Sequence, residues 1–319
     1  MKITARARVI IDNDFSGDPD GLVQLAHHLL SPSVEIPLII GSHLAPGDPF
    51  DPSSRTANNA VAAAERVIDL LGLTGHTVVA GSNEAMIDPV TPRRSAATDA
   101  LIAEALRTDT TLPLYVACGA GLTEIASACL LEPSIVGRFT VVWIGGPEYD
   151  LPGVHTPPGS TGSEYNLAID IPAARMLFAS RVLLWQVPRP AYRQTLFSWA
   201  ELDTQVLPAG PVGRHLVDAL SAVATMAGRH GVNLGETYIL GDSPLVLLTA
   251  LQSAFEADPS SSEYVWVAAP GIRSDGSYDP IPVTDAREIR VYTRLDTRLL
   301  FGDLVAKLTL HAATAGENS

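Results

Sequence analysis

Four carboxylates, Asp12, Asp14, Asp18 and Asp20, fall within nine positions of one another in Val9-Ile10-Ile11-Asp12-Asn13-Asp14-Phe15-Ser16-Gly17-Asp18-Pro19-Asp20-Gly21. Charges crowded on one turn repel by several kcal/mol where the effective dielectric is low, unless a cation or shared protons relieve them. A hard, oxygen-preferring metal ion is the economical explanation. A solvated turn in which Asp18 caps a helix opened by Pro19 would account for the same residues. The apolar run before the acidic stretch and the periodic Leu22, Val23, Leu25, Ala26, Leu29, Leu30 after it read as buried strand, loop and helix.

The elements that must hold such a loop recur along the chain. Candidate strands are 8–12, 36–41, 77–81, 114–119, 139–145 and 182–187, and they alternate with helical patterns at 20–30, 54–71, 96–107, 122–131 and 172–179. Parallel strands need crossover helices, so the pattern predicts an α/β, doubly wound, mostly parallel sheet of Rossmann-like type. Beyond Pro190 it predicts extra helices at 212–230 and 245–255, strands at 264–268 and 289–292, and a closing helix at 297–310. A single domain over 1–311 is expected, followed by a disordered tail at 312–319.

Strand after strand ends in small or polar residues: Asp12-Asn13-Asp14, Gly41-Ser42-His43, Gly81-Ser82-Asn83-Glu84, Cys118-Gly119-Ala120-Gly121 and Gly145-Gly146-Pro147-Glu148. In an open parallel sheet all of these face the carboxyl edge, where ligands bind.

Composition narrows the function classes. The 319 residues are 46% hydrophobic and 18% charged, with 24 Pro and 25 Gly, as in a compact enzyme with long loops. A net charge of −14 with no Lys/Arg run argues against nucleic acid as a partner. No apolar run is long enough to span a bilayer and the first residues lack a signal-peptide core, so a soluble, cytoplasmic protein without membrane association is expected. Cys118 and Cys129 read as reduced core thiols.

Four ordered motifs resemble the nucleoside hydrolase family of inosine-uridine preferring N-ribohydrolases over roughly positions 7 to 255. They are Asp12-Asn13-Asp14 with its Gly-Asp-Pro-Asp continuation, Cys118-Gly119-Ala120-Gly121-Leu122-Thr123-Glu124-Ile125-Ala126, Trp143-Ile144-Gly145-Gly146 followed by Ser163-Glu164-Tyr165-Asn166, and Gly241-Asp242-Ser243-Pro244-Leu245. The resemblance implies the nucleoside hydrolase fold, calcium-dependent cleavage of the N-glycosidic bond of a ribonucleoside or related ribosyl compound, and a homo-oligomer, dimer or tetramer. It implies that Asp14 is metal ligand and general base, and that Thr123 lends a backbone carbonyl and Asp242 a carboxylate to the calcium. Asp20 or Asp18 would complete the metal set, with Asp20 also near the ribose, and Glu164 and Asn166 would hydrogen-bond the ribose hydroxyls. Asp12 is expected to support the site from behind.

The chain departs from that family in three places. Gly21 stands where the loop's second adjacent aspartate is expected. Ser42 or His43 replaces an Asn after the second strand, which makes His43 a candidate substrate contact. Gly241 stands where many relatives carry a His that protonates the leaving base. Gly21 and Gly241 motivate an alternative, a nucleoside- or ribose-binding member without turnover, while Asp14, Asp242, Glu164 and Asn166 speak for an enzyme. Two further readings, a haloacid-dehalogenase-like phosphatase and a nucleotide-sugar transferase, share the Asp-x-Asp but give the Glu-Tyr-Asn and Asp-Ser-Pro segments no role. His27 and His28, adjacent in a helix, can present only one ring to the core, and His76, His215, His230 and His311 read as surface residues. The loop 147–162, with His155, reads as a lid. Tyr165 and Trp185 could stack on a base, although packing explains both.

Overall fold

The computed structural model describes residues 3–149, 163–253, 255, 258, 260–281 and 283–317. Its strands are β1 (Ala7–Asn13), β2 (Val34–Gly41), β3 (Val78–Ala80), β4 (Leu114–Gly119), β5 (Thr140–Ile144), β6 (Leu183–Val187), β7 (Leu196–Ser198), β8 (Thr237–Ile239), β9 (Glu263–Ala268) and β10 (Glu288–Arg294). Its helices are α1 (Asp20–Leu29), α2 (Thr56–Leu70), α3 (Ala96–Ala105), α4 (Thr123–Leu131), α5 (Tyr165–Ile169), α6 (Ile171–Ala179), α7 (Arg189–Tyr192), α8 (Trp199–Glu201), α9 (Gly210–Arg229), α10 (Pro244–Thr249) and α11 (Thr297–Glu317). Eight strands form one sheet in the order β3-β2-β1-β4-β5-β6-β10-β9, and β7 and β8 form a separate antiparallel pair. Every pairing in the large sheet is parallel except β10 with β9. The doubly wound expectation is met.

Helices cover both faces because the central strands are apolar on both sides. All seven residues of β1 are buried. Alternation sends Val9 and Ile11 into a core shared with α1, α9, α10 and α11, and Ile10 into a second core with α3, α4 and α6. Local signals fix the helix starts: Ser95 and Thr98 form a reciprocal capping box at α3, and the Glu164 and Asp170 side chains accept N–H groups at the starts of α5 and α6.

Three expectations need correction. The helix expected over 245–255 ends at Thr249; Ala250 and Leu251 beyond it still pack on the core, and Phe255 is 93% exposed. The closing helix continues to Glu317, so residues 312–317 of the expected disordered tail belong to α11. His27 and His28 are both buried: His27 Nε2 meets Asp303 Oδ2 at 2.8 Å, and His28 lies against α10. Cys118 and Cys129 are buried free thiols, as expected. Among the described residues no helix is long and apolar enough to cross a membrane.

Candidate active site

Strand order grows outward from β1 and β4 in opposite directions, so a crevice opens where their carboxyl ends lie side by side, Asn13 opposite Gly119. A cavity of about 230 Å³ occupies it. Its acidic lining is Asp14, Asp18, Asp20 and Asp242, with Glu164 and Asn166 on another wall. Phe50, Ile144, Tyr165, Tyr192 and Ile239 supply apolar surface, and Gly119 and Gly241 let the backbone come close.

The acidic loop is built by short-range bonds. Gly17 N donates to Asp14 O at 2.7 Å, which turns the chain, and Asp20 N donates to Asp18 Oδ1 at 3.2 Å as α1 begins. Asp18 thus closes a side-chain turn just ahead of α1, whose N-cap is Pro19 and not Asp18, and it also receives the Tyr238 hydroxyl at 2.8 Å. Asp242, on the loop before α10, accepts Asn13 Nδ2 at 2.9 Å, and its own N–H donates to Asp20 Oδ2 at 3.0 Å.

Burial first, and mutual repulsion second, set the charge state of this group. Burial pushes the Asp14 carboxyl well above the usual carboxylate range, and the charges of Asp242, Asp18, Asp48 and Asp12 push it further. Asp20 is raised by burial and then by Asp242 and Asp18. Asp242 is pushed up to about 7 by burial, against the hydrogen bond from Asn13. Asp14 Oδ2 is buried without a hydrogen-bond partner. Such a set chemically fits a hard cation, which would relieve the repulsion and accept the orphaned oxygen. Among the described residues, however, no three His, Cys, Asp or Glu side chains converge closely enough to form a ligand cluster as they stand. The reason is visible in the bonds: Asp20 and Asp242 are turned toward protein donors.

Glu164 and Asn166 are held firmly. Glu164 accepts Tyr192 Oη at 2.9 Å, Gly146 N at 2.7 Å and Leu167 N at 3.0 Å, while burial raises its pKa. Asn166 Nδ2 donates to Ile144 O at 2.8 Å. Asp14, Asp18, Asp20, Asp242, Glu164 and Asn166 are thus brought together.

Thr123 and His43 do not line the cavity. His43 is 2% exposed, with Nδ1 at 3.0 Å from Leu44 O and Nε2 at 2.9 Å from Thr123 Oγ1, so both ring nitrogens are used inside the protein. Thr123 in turn donates to Asp170 Oδ2 at 2.6 Å. The expected contact of His43 with substrate is corrected on that ground. Asp12 points to the opposite face of the sheet, where the Ser42 hydroxyl binds it and burial pushes its pKa up to about 8.

Sequence reading missed Phe50, Tyr192, Ile239 and Asp48, which accepts the Tyr165 hydroxyl at 2.6 Å. Tyr192 follows the carboxyl end of β6, so the strand-end rule could have found it. Tyr165 does line the cavity, whereas Trp185 packs against Tyr115 and Arg290 away from it. Most of the expected lid, including His155, lies outside the described residues.

A sequence model of the family described as "Inosine-uridine preferring nucleoside hydrolase" matches residues 9–306. No curated protein matches the chain in sequence. Among solved structures, the purine-preferring ribonucleoside hydrolase from Gardnerella vaginalis is similar with a TM-score of 0.71 at 18% identity, over 96% of this chain and 99% of that one. The inosine-uridine preferring nucleoside hydrolase from Bacillus anthracis gives 0.68 at 17%, over 95% and 99%. The type III effector protein XopQ, complexed with adenosine diphosphate ribose, gives 0.63 at 15%, over 96% and 95%.

Proposed function

Because the chain belongs to the inosine-uridine preferring nucleoside hydrolase family, enzymes that cleave N-glycosidic bonds, we propose that it hydrolyses a ribonucleoside or related ribosyl compound to free base and ribose in a calcium-dependent reaction. The observation that carries the proposal is the ring of buried carboxylates at the carboxyl edge of β1, with the unpartnered Asp14 Oδ2 among them. Asp14, Asp242 and either Asp20 or Asp18 would hold the cation, and the Thr123 carbonyl joins that set on the family resemblance alone. When bound, calcium orients a water and favours its deprotonation.

The remaining work falls to the protein's own groups. Asp14 takes the proton from the attacking water. The negative surroundings stabilise the positive charge that develops on the sugar as its bond to the base breaks. Glu164 and Asn166 hold ribose hydroxyls, and Glu164 is kept in place by Tyr192 and two backbone N–H groups. Phe50, Tyr165 and Ile239 give the leaving base an apolar wall. Among the described residues no His lines the cavity, and the phenols of Tyr165 and Tyr192 are the hydroxyl groups on its wall. A homodimer or tetramer in the cytoplasm is part of the same proposal.

One set of observations favours the non-hydrolytic alternative. Both Glu164 oxygens already have protein donors, and Gly241 supplies no acid. Metal analysis of the purified protein, combined with ribose release from a panel of purine and pyrimidine nucleosides with and without chelator, separates the two. Bound calcium and chelator-sensitive ribose release are expected. Bound calcium with no ribose from any nucleoside would establish the binding protein instead.

A further inference from the structure

Behind the cavity a buried chain of hydrogen bonds connects Asp242 to the far end of α10. Asn13 Nδ2 donates to Asp242 Oδ2 at 2.9 Å and to Gln24 Oε1 at 3.2 Å. Gln24 Nε2 meets His28 Nδ1, and His28 Nε2 meets Thr249 Oγ1 at 2.8 Å. Thr249 Oγ1 donates to Leu245 O at 2.6 Å. Asn13, Gln24 and His28 are 0% exposed, so water cannot substitute for any link. Gln24 and His28, four residues apart, lie on one stripe of α1.

The two ends fix the direction of every bond. A carboxylate and a carbonyl only accept. Thr249, whose one proton goes to Leu245 O, must accept from His28, so the imidazole proton sits on Nε2. Nδ1 of the neutral ring then accepts from Gln24 Nε2, which turns Gln24 Oε1 toward Asn13. The Asn13 amide nitrogen is left as the double donor between two acceptors. Burial, with the charges of His27 and Lys307, lowers the His28 pKa well below its usual value and keeps the ring neutral.

We propose that Gln24 and His28 are positioning residues for Asp242: they lock the Asn13 amide so that its NH2 group, never its carbonyl, faces that carboxylate. Turned over, Asn13 would set an oxygen against the Asp242 carboxylate, and the carboxylate would swing away from Asp14 and Asp20. Gly21 makes the arrangement sterically feasible. A Cβ there would lie 2.9 Å from Asn13 Oδ1 and 3.1 Å from Nδ2, so a side chain at position 21 and this amide exclude one another. The absent carboxylate at Gly21 thus coincides with a neutral amide that ties Asp242 to α1. The role of Asp242 in turnover rests on the function proposed above; the direction of the chain does not.

Nitrogen-15 spectra of histidine-labelled wild-type protein at neutral pH should show His28 protonated at Nε2 and bare at Nδ1. A proton on Nδ1 overturns the proposal. Gln24→Met keeps the bulk and loses the acceptor; kcat for a nucleoside should fall about 10- to 100-fold with KM within a few-fold, the size of effect seen when partners behind a metal site are removed. Gln24→Glu, which keeps an oxygen toward Asn13 and in its protonated form still donates to His28 Nδ1, should recover most of that loss at pH values low enough to keep that buried carboxyl protonated. Lower stability with kcat unchanged in Gln24→Met also overturns the proposal, since a merely structural role would give that result. If wild type releases no ribose, the hydrolase reading fails, and the His28 tautomer decides together with the calcium-induced rise in Tm, which must be smaller in Gln24→Met than in wild type.

Discussion

Gly241→His tests the reasoning about the leaving group most directly. Gly241 lines the cavity beside Asp242, and its backbone is not left-handed, so any residue can adopt it. A Cβ there would meet Asp20 Oδ2 at 3.2 Å, Tyr192 Cδ2 at 3.5 Å and Ile239 Cγ2 at 3.8 Å. Only the first contact is tight, and the Asp20 carboxylate needs to yield by a few tenths of an ångström. The ring would enter a cavity of about 230 Å³ next to Asp20 and Asp242, whose carboxyl oxygens can accept its N–H groups. A well-placed general acid contributes about 10²- to 10⁴-fold. A newly introduced ring should reach the lower end, about 10- to 100-fold in kcat for a purine nucleoside, equivalent to about 1.4–2.7 kcal/mol of barrier. The control substrate is 4-nitrophenyl riboside, whose phenolate leaves without protonation and should gain nothing. Steady-state kinetics on both, from pH 5 to 9, gives the answer. Equal changes for the two substrates, or no gain for the purine nucleoside with the cavity intact, would refute the view that the protein lacks an efficient leaving-group acid because of Gly241.

Three other outcomes are expected. Asp14→Asn should lower turnover by about 10²- to 10⁴-fold while circular dichroism and Tm are kept or improved, because a neutral amide suits the buried position better; full activity would show that another group is the base. Gly146 has φ +93°, and a Cβ would lie 2.1 Å from Gln186 Nε2 and 2.5 Å from Tyr278 Oη. Gly146→Ala should therefore cost about 2–4 kcal/mol in urea unfolding and raise KM through its bond to Glu164, and a loss below about 0.5 kcal/mol would contradict the packing argument. Asp12 and Asp242 are held near 8 and near 7 when folded, against the ordinary 3.8. Folding without metal thus takes up protons, so the contribution of these two groups is complete below their unfolded value of 3.8 and is lost, by several kcal/mol in all, as pH rises toward 8. Urea midpoints in chelator at pH 5 and pH 8 measure this, and a higher midpoint at pH 8 would reverse the sign; added calcium should flatten the difference.

The acidic stretch from Asp12 to Asp20 was legible in the sequence as a strand-end loop because apolar periodicity of two kinds flanks it. The doubly wound order followed from the same alternation, since buried parallel strands admit few other connections. Position along the chain also placed Asp14 at a strand end on that edge, whereas Glu164, Asn166 and Asp242 were named only through the family resemblance. Helix ends were less legible: α10 stops six residues before the expected end at 255 and α11 runs seven residues past the expected end at 310.

What only the tertiary structure decided is which face each polar side chain uses and who its partner is. Residues 12, 13 and 14 are consecutive, yet strand pleating sends Asp12 to Ser42 on one side of the sheet and Asn13 to Gln24 and Asp242 on the other, while Asp14 opens into the cavity. His43 sits at a ligand-facing strand end in sequence, but Thr123 and Leu44 take both its nitrogens. Gly21 reads in sequence as a lost carboxylate; in the fold it is the space filled by an amide from β1. Residue type and local period carry the chemistry a segment can do, and hydrogen-bond partners from other elements of the fold determine which of those groups remain free to do it.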